Sequence, residues 1–143
     1  MLNKQEILNA VYKRFIVDRK PWGMGAEKCV YTLARDPEIR CVIGMFIPDK
    51  HINAFRNVER GAAELMDEEM KMFPFERSVW TTIYGSMERS LPTRLQKAHD
   101  FCATLEAPDD VKRKVFQENL NDIAEMVGCV YPQISTYFGE SIE

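Results

Sequence analysis

The stretch Cys29–Asp49, CVYTLARDPEIRCVIGMFIPD, constrains the fold more than any other part of the chain. It reads as sheet inside a sequence that otherwise reads mostly as helix. Cys29, Tyr31 and Leu33 alternate with Val30, Thr32 and Ala34, and this period of two with β-branched and aromatic residues is a strand signal. Asp36-Pro37-Glu38 interrupts the run with turn chemistry, and Ile39, Cys41, Ile43 and Met45 resume the alternation. A turn centred on Pro37 sets Leu33 opposite Cys41, Tyr31 opposite Ile43 and Cys29 opposite Met45. Gly44 and Ile47-Pro48-Asp49 then mark the end of the second strand. A lone hairpin is barely stable in water, so the apolar face of this one requires helices over it.

Helical periodicity supplies them. Asn3 followed by Glu6 predicts a capped start, and Ile7, Leu8, Val11, Tyr12 and Phe15 form one apolar stripe ending near Val17. A short helix through His51, Ile52 and Phe55, and another from Asn57 with Val58, Leu65, Met66 and Phe73 as its buried side, follow the hairpin. Val79–Tyr84 has strand propensity and is expected to add a third strand, with a helical turn as the alternative. Pro92 suits a first helical turn, with Leu91, Leu95, Ala98, Cys102 and Leu105 as the stripe. Asp109 and Asp110 place negative charge at the start of a last helix, carrying Val111, Val115, Phe116, Leu120, Ile123, Met126 and Val127 and stopped by Gly128. The predicted fold class is α+β: a small antiparallel hairpin or three-stranded sheet packed against about five helices. Residues 1–128 form the expected domain, and 129–143 an apolar C-terminal tail that docks or forms an interface.

At 143 residues a single domain buries ~68% of its unfolded surface and holds a core without disulfide or metal. The cysteines Cys29, Cys41, Cys102 and Cys129 contain no Cys-x-x-Cys pair and read as reduced core thiols. No apolar run approaches a membrane span, and charged residues punctuate the first twenty positions, so the expected compartment is the cytoplasm. Charge divides along the chain: residues 1–60 carry eleven Lys or Arg against seven Asp or Glu, and residues 61–143 carry eight against fifteen. An acidic C-terminal half argues against nucleic acid as the main partner, although Lys13, Arg14, Arg19, Lys20, Lys112, Arg113 and Lys114 are candidate phosphate contacts.

Several motifs together resemble a group of small bacteriophage and prophage proteins. These are Cys29-Val30-Tyr31, Cys41-Val42-Ile43-Gly44, Ile47-Pro48-Asp49, and Leu95-Gln96 with His99-Asp100. In that group a helix precedes a Cys-x-Tyr-Arg, Asp-Gly, Cys-Ala-Ile-Gly-Cys-Leu-Ile-Pro-Asp hairpin, and a Leu-Gln-x-x-His-Asp helix follows. The likeness covers roughly residues 3–60 and 91–128. It departs at the turn, where Asp36-Pro37-Glu38 replaces Asp-Gly, and at Thr32 and Met45, which stand in place of arginine and cysteine. The resemblance implies a phage origin and a fold rather than a reaction.

For chemistry, the order of His51, His99, Asp100 and Asp122 resembles that of the metal-dependent HD phosphohydrolases, in which imidazoles and carboxylates hold a divalent metal that activates water. The plainer reading has His99 bonding the hairpin edge and Asp100 facing solvent. Cys41 with His99 as nucleophile and base, and Cys29, Cys41, His51 and His99 as a zinc site, are further combinations; the place of Cys41 on the apolar face argues against the first, and the lack of short ligand spacing against the second. For binding, Arg19, Lys20 and Trp22 form a cation–aromatic cluster in the loop 18–27, able to stack a base or grip a partner, or else to fold Trp22 down as a lid on the core. Tyr131, Tyr137 and Phe138 of the tail are candidate interface anchors. The reading that unites these features is a non-catalytic phage accessory protein, without cofactor, that binds a host bacterial protein in the host cytoplasm as an inhibitor or counter-defence factor. Homo-oligomerisation through the tail, the phosphohydrolase, and nucleic-acid or nucleotide-signal binding are the alternatives.

Overall fold

The computed structural model describes residues 3–23, 32–33, 36–42, 44–46 and 90–133. Helix α1 spans Lys4–Tyr12 and opens with a complete capping box: Asn3 Oδ1 accepts from the Glu6 amide at 2.8 Å, and Glu6 accepts from the Asn3 amide at 3.1 Å. Each side chain thereby satisfies a backbone donor that the first turn leaves unpaired. The helix then widens into a π turn over Lys13–Val17, closed by the Asp18 amide donating to Lys13 O at 2.8 Å. One face of this continuous rod buries Ile7, Leu8, Val11 and Phe15.

Helix α2 runs Ser90–Thr104 and α3 runs Asp109–Val127. They pack on each other, and α3 also packs on α1 and the π turn. Leu91, Leu95, Ala98 and Cys102 of α2 meet Phe116, Leu120, Ile123 and Ala124 of α3 in the core, at the predicted spacing. Pro108 stands at the start of α3 with Asp109 and Asp110 in its first turn. Gly128 ends it in the left-handed conformation, φ 76°, which a residue with a Cβ adopts only at a cost.

The sheet is much smaller than expected, and the α+β prediction is corrected: the described residues are mostly helical. Among the described residues there are three α-helices and two strands, β1 (Thr32–Leu33) and β2 (Asp36–Arg40). The register differs too. Leu33 pairs with Asp36 and Thr32 with Arg40, with an irregularity between them, so Leu33 does not face Cys41. Pro37 lies inside β2 rather than at the turn, tolerable because a two-stranded ladder leaves an edge where its missing N–H is not needed. The second strand stops at Arg40. The chain then tightens: the Met45 amide donates to Cys41 O at 2.9 Å, and Gly44–Phe46 forms a 3-10 turn. Cys41 and Val42 are consecutive and both buried, an arrangement that strand alternation cannot give. The proposed third strand over 79–84 and the helices expected between 49 and 74 lie outside the described residues, as do Tyr137 and Phe138.

Candidate functional site

Two places bring together the side chains on which function was expected to depend. The first is a buried aromatic box around His99. Phe15 from the π turn stacks on Trp22 with ring centroids 5.3 Å apart, and His99 and Phe116 meet both rings edge-on. Arg113 closes the box from α3, its guanidinium 4.2 Å from the Trp22 ring centre. Its Nη1 donates to Phe15 O at 3.1 Å and Lys20 O at 2.8 Å, and its Nε donates to Asp109 at 3.2 Å. Through Nη1 and its indole contact this cation holds the chain between Phe15 and Trp22 against α3, and Asp109 fixes its Nε.

His99 is fully buried. Its Nε2 accepts from the Gly23 amide at 3.1 Å, so that nitrogen presents a lone pair. The ring proton therefore sits on Nδ1, which lies 2.9 Å from Asp100 Oδ1 and donates to it. Asp100 Oδ1 also accepts from Gln96 Nε2 at 2.8 Å. Burial pushes the His99 pKa below its ordinary value, the Asp100 bond and charge oppose that, and the Arg14 and Arg113 cations add to the depression.

This geometry bears directly on the chemical readings. A metal or a catalytic proton at His99 requires the ring to give up its bond to Gly23 or to Asp100. Asp122 is exposed on α3, while His51 and Cys29 lie outside the described residues. Among the described residues no cluster of His, Cys, Asp and Glu is gathered to hold a metal ion. Cys41 is buried, with its Sγ accepting from the Gly44 amide at 3.3 Å. Burial raises the Cys102 thiol to about 11, which keeps it protonated at neutral pH.

The loop cluster is likewise engaged. Trp22 lies in the box, and its backbone bridges Arg40 of β2. Arg19, in the left-handed region at φ 51°, pairs with Asp109 at 3.3 Å and with Asp110. The Lys20 amide donates to Arg14 O at 2.9 Å.

The second place is the segment after α3. Gln5 of α1 grips Val130 by its backbone: the Val130 amide donates to Gln5 Oε1 at 3.0 Å, and Gln5 Nε2 donates to Val130 O at 3.2 Å. Asn9, one turn on, accepts from the Gln133 amide at 3.1 Å and from Gln5 Nε2 at 3.0 Å. Pro132, between the two gripped residues in sequence, is buried. The backbone is held while the side chains face out: Val130 is 63% exposed, Tyr131 54%, and Met126, the last residue but one of α3, 63%. Asp122 and Glu125 are exposed on the same end of α3, and Glu125 accepts from the Tyr131 hydroxyl.

Tyr131 was expected at a binding surface from its residue type; Gln5 and Asn9 were not. Their signal is an amide pair four residues apart, with Asn9 lying amid the apolar residues of α1. No protein-family model, no curated protein and no solved structure matches this chain. Among the described residues no helix is long and apolar enough to cross a membrane.

Proposed function

We propose that this chain is a non-catalytic accessory protein of phage origin that acts by binding a host bacterial protein through the segment Cys129–Gln133 and the adjoining end of α3. The observation that carries the reading is the Gln5–Asn9 grip on the backbone beneath exposed Val130, Tyr131 and Met126. Large apolar side chains on a loose terminus lose much conformational freedom when they dock. Here the backbone is already ordered, so that cost is smaller. A tyrosine and a methionine beside acid groups suit a protein surface, since aromatic residues and Met are enriched at interfaces. The sequence resemblance supports the phage origin, and small size, eight methionines, an acidic C-terminal half and an apolar tail support a protein partner in the host. A metal-dependent phosphohydrolase needs His99 as a ligand, and its two nitrogens are already occupied within the fold.

The test is a pull-down of the tagged chain from bacterial host lysate, with mass spectrometry of what is retained, run beside Val130→Asp and Tyr131→Asp. The expected result is one stoichiometric host protein held by the wild-type chain and lost by both variants. Retention of that protein by both variants, or no stoichiometric protein with the wild type, overturns the reading.

A further inference from the structure

We propose that His99 is a proton-operated latch: neutral, it holds Trp22 and Gly23 against the core, and protonated on Nε2 it releases them.

The Gly23 amide is a donor and can bond Nε2 only while that nitrogen keeps its lone pair. A proton added to Nε2 sets two donors against each other at 3.1 Å, inside a box with no water contact for the ring. The approach has little slack. Gly23 lies so close to the backbone of Arg40 and Cys41 that a side-chain carbon on it would overlap both. The segment cannot shift toward β2 to relieve the clash and must move outward.

The charged groups around the ring set the direction of the response. Asp100, on α2 itself, faces Nδ1 and favours the cation. Arg14 of the π turn and Arg113 of α3 oppose it. Arg40 stands in β2, whose backbone bridges Trp22. Asp100 is partly exposed, with 41% of its side chain open to water, so it is a usable handle on the proton equilibrium.

Release has a structural consequence. Trp22 leaves its stack on Phe15, Arg113 loses the indole face, and Lys20 O is freed from Nη1. The Trp22 indole, packed in the box at neutral pH, becomes available beside Arg19 and Lys20 on acidification. The helices themselves need not open, because the core that joins α1, α2 and α3 runs on through Leu8, Leu95 and Leu120.

The experiment is a pH titration of the full chain by nuclear magnetic resonance, following the His99 ring nitrogens, the Gly23 amide and the Trp22 indole, with circular dichroism at each point. The expected result is an Nδ1–H tautomer at neutral pH. On acidification, Gly23 and Trp22 should move together with the His99 midpoint, which lies below 6.5, while the helical signal holds. Asp100→Asn removes the charge that favours the cation and shifts that midpoint to lower pH. His99→Gln, whose amide oxygen accepts the same N–H and does not titrate, abolishes the transition. Gly23 and Trp22 staying fixed while His99 titrates overturns the latch. So does a midpoint that Asp100→Asn leaves unmoved, or loss of the helical signal at that same midpoint.

Discussion

Arg113 occupies a position on α3 where the spacing of Phe116 and Leu120 calls for an apolar side chain. It is 7% exposed, and it serves two backbone carbonyls, one carboxylate and one indole face. Arg113→Ala strands the carbonyls of Phe15 and Lys20 in the interior and removes the partner of Asp109. The expected loss is about 3 kcal/mol of stability in urea denaturation. Arg113→Lys recovers only part of it, since an ammonium lacks the planar fork that spans both carbonyls. From the sequence this arginine was a surface cation among seven. A charge at core spacing, four residues after Asp109, was the readable hint. What it bonds to is not, because Phe15 and Lys20 lie more than ninety positions away. His99 with Asp100 was legible as a pair for the same local reason, and its third partner, Gly23, was not.

At the scale of elements, the ends of helices were the best-read features. The Asn3–Glu6 box and the Gly128 stop are written within four residues and obey local chemistry. Asn3→Ala is expected to cost about 1 kcal/mol, and Gly128→Ala about 1 kcal/mol through its positive φ alone, since nothing lies near a new side chain there. Both are checked by the shift in urea midpoint at unchanged slope. The hairpin was read less well. Alternation marked Thr32–Leu33 as strand, but it put Asp36-Pro37-Glu38 at the turn, where they open β2, and carried the second strand past Arg40, where β2 stops; register depends on what the strands pack against. Trp22 bridging Arg40 and Cys41 turning into the core decide it here, and neither contact is visible in a window of a dozen residues. The exposure of Val111 and Met126, both assigned to the buried stripe of α3, has the same origin: α3 turns Arg113 and Ala124 inward instead.

For the molecule as a whole, acid stability is expected to fall in two stages. His99 in the fold binds its proton more weakly than the unfolded chain does, so its contribution is complete above 6.5 and declines as pH falls below that value. At Asp109 partial burial pushes the carboxyl upward, and the bonds from Arg113 and Arg19 outweigh it, leaving the carboxyl below its ordinary 3.8. Its contribution is therefore present above that value and lost as pH falls through it. Denaturation curves collected from neutral pH to about pH 3 should show both declines. Asp109→Asn should flatten the lower one and leave the upper. The ties that hold the fold together also set when it can form. Gln5 meets Val130 across 125 positions of sequence, and Phe15 meets Arg113 across 98. A nine-residue helix is marginal by itself in water. As the chain leaves the ribosome, its first helix emerges long before the surface it must bury against, and it waits unfolded until nearly all of the described chain has been made. Synthesis that stalls before α3 emerges leaves the stripe Ile7, Leu8, Val11 and Phe15 without its partners on that helix, exposed to chaperones and proteases.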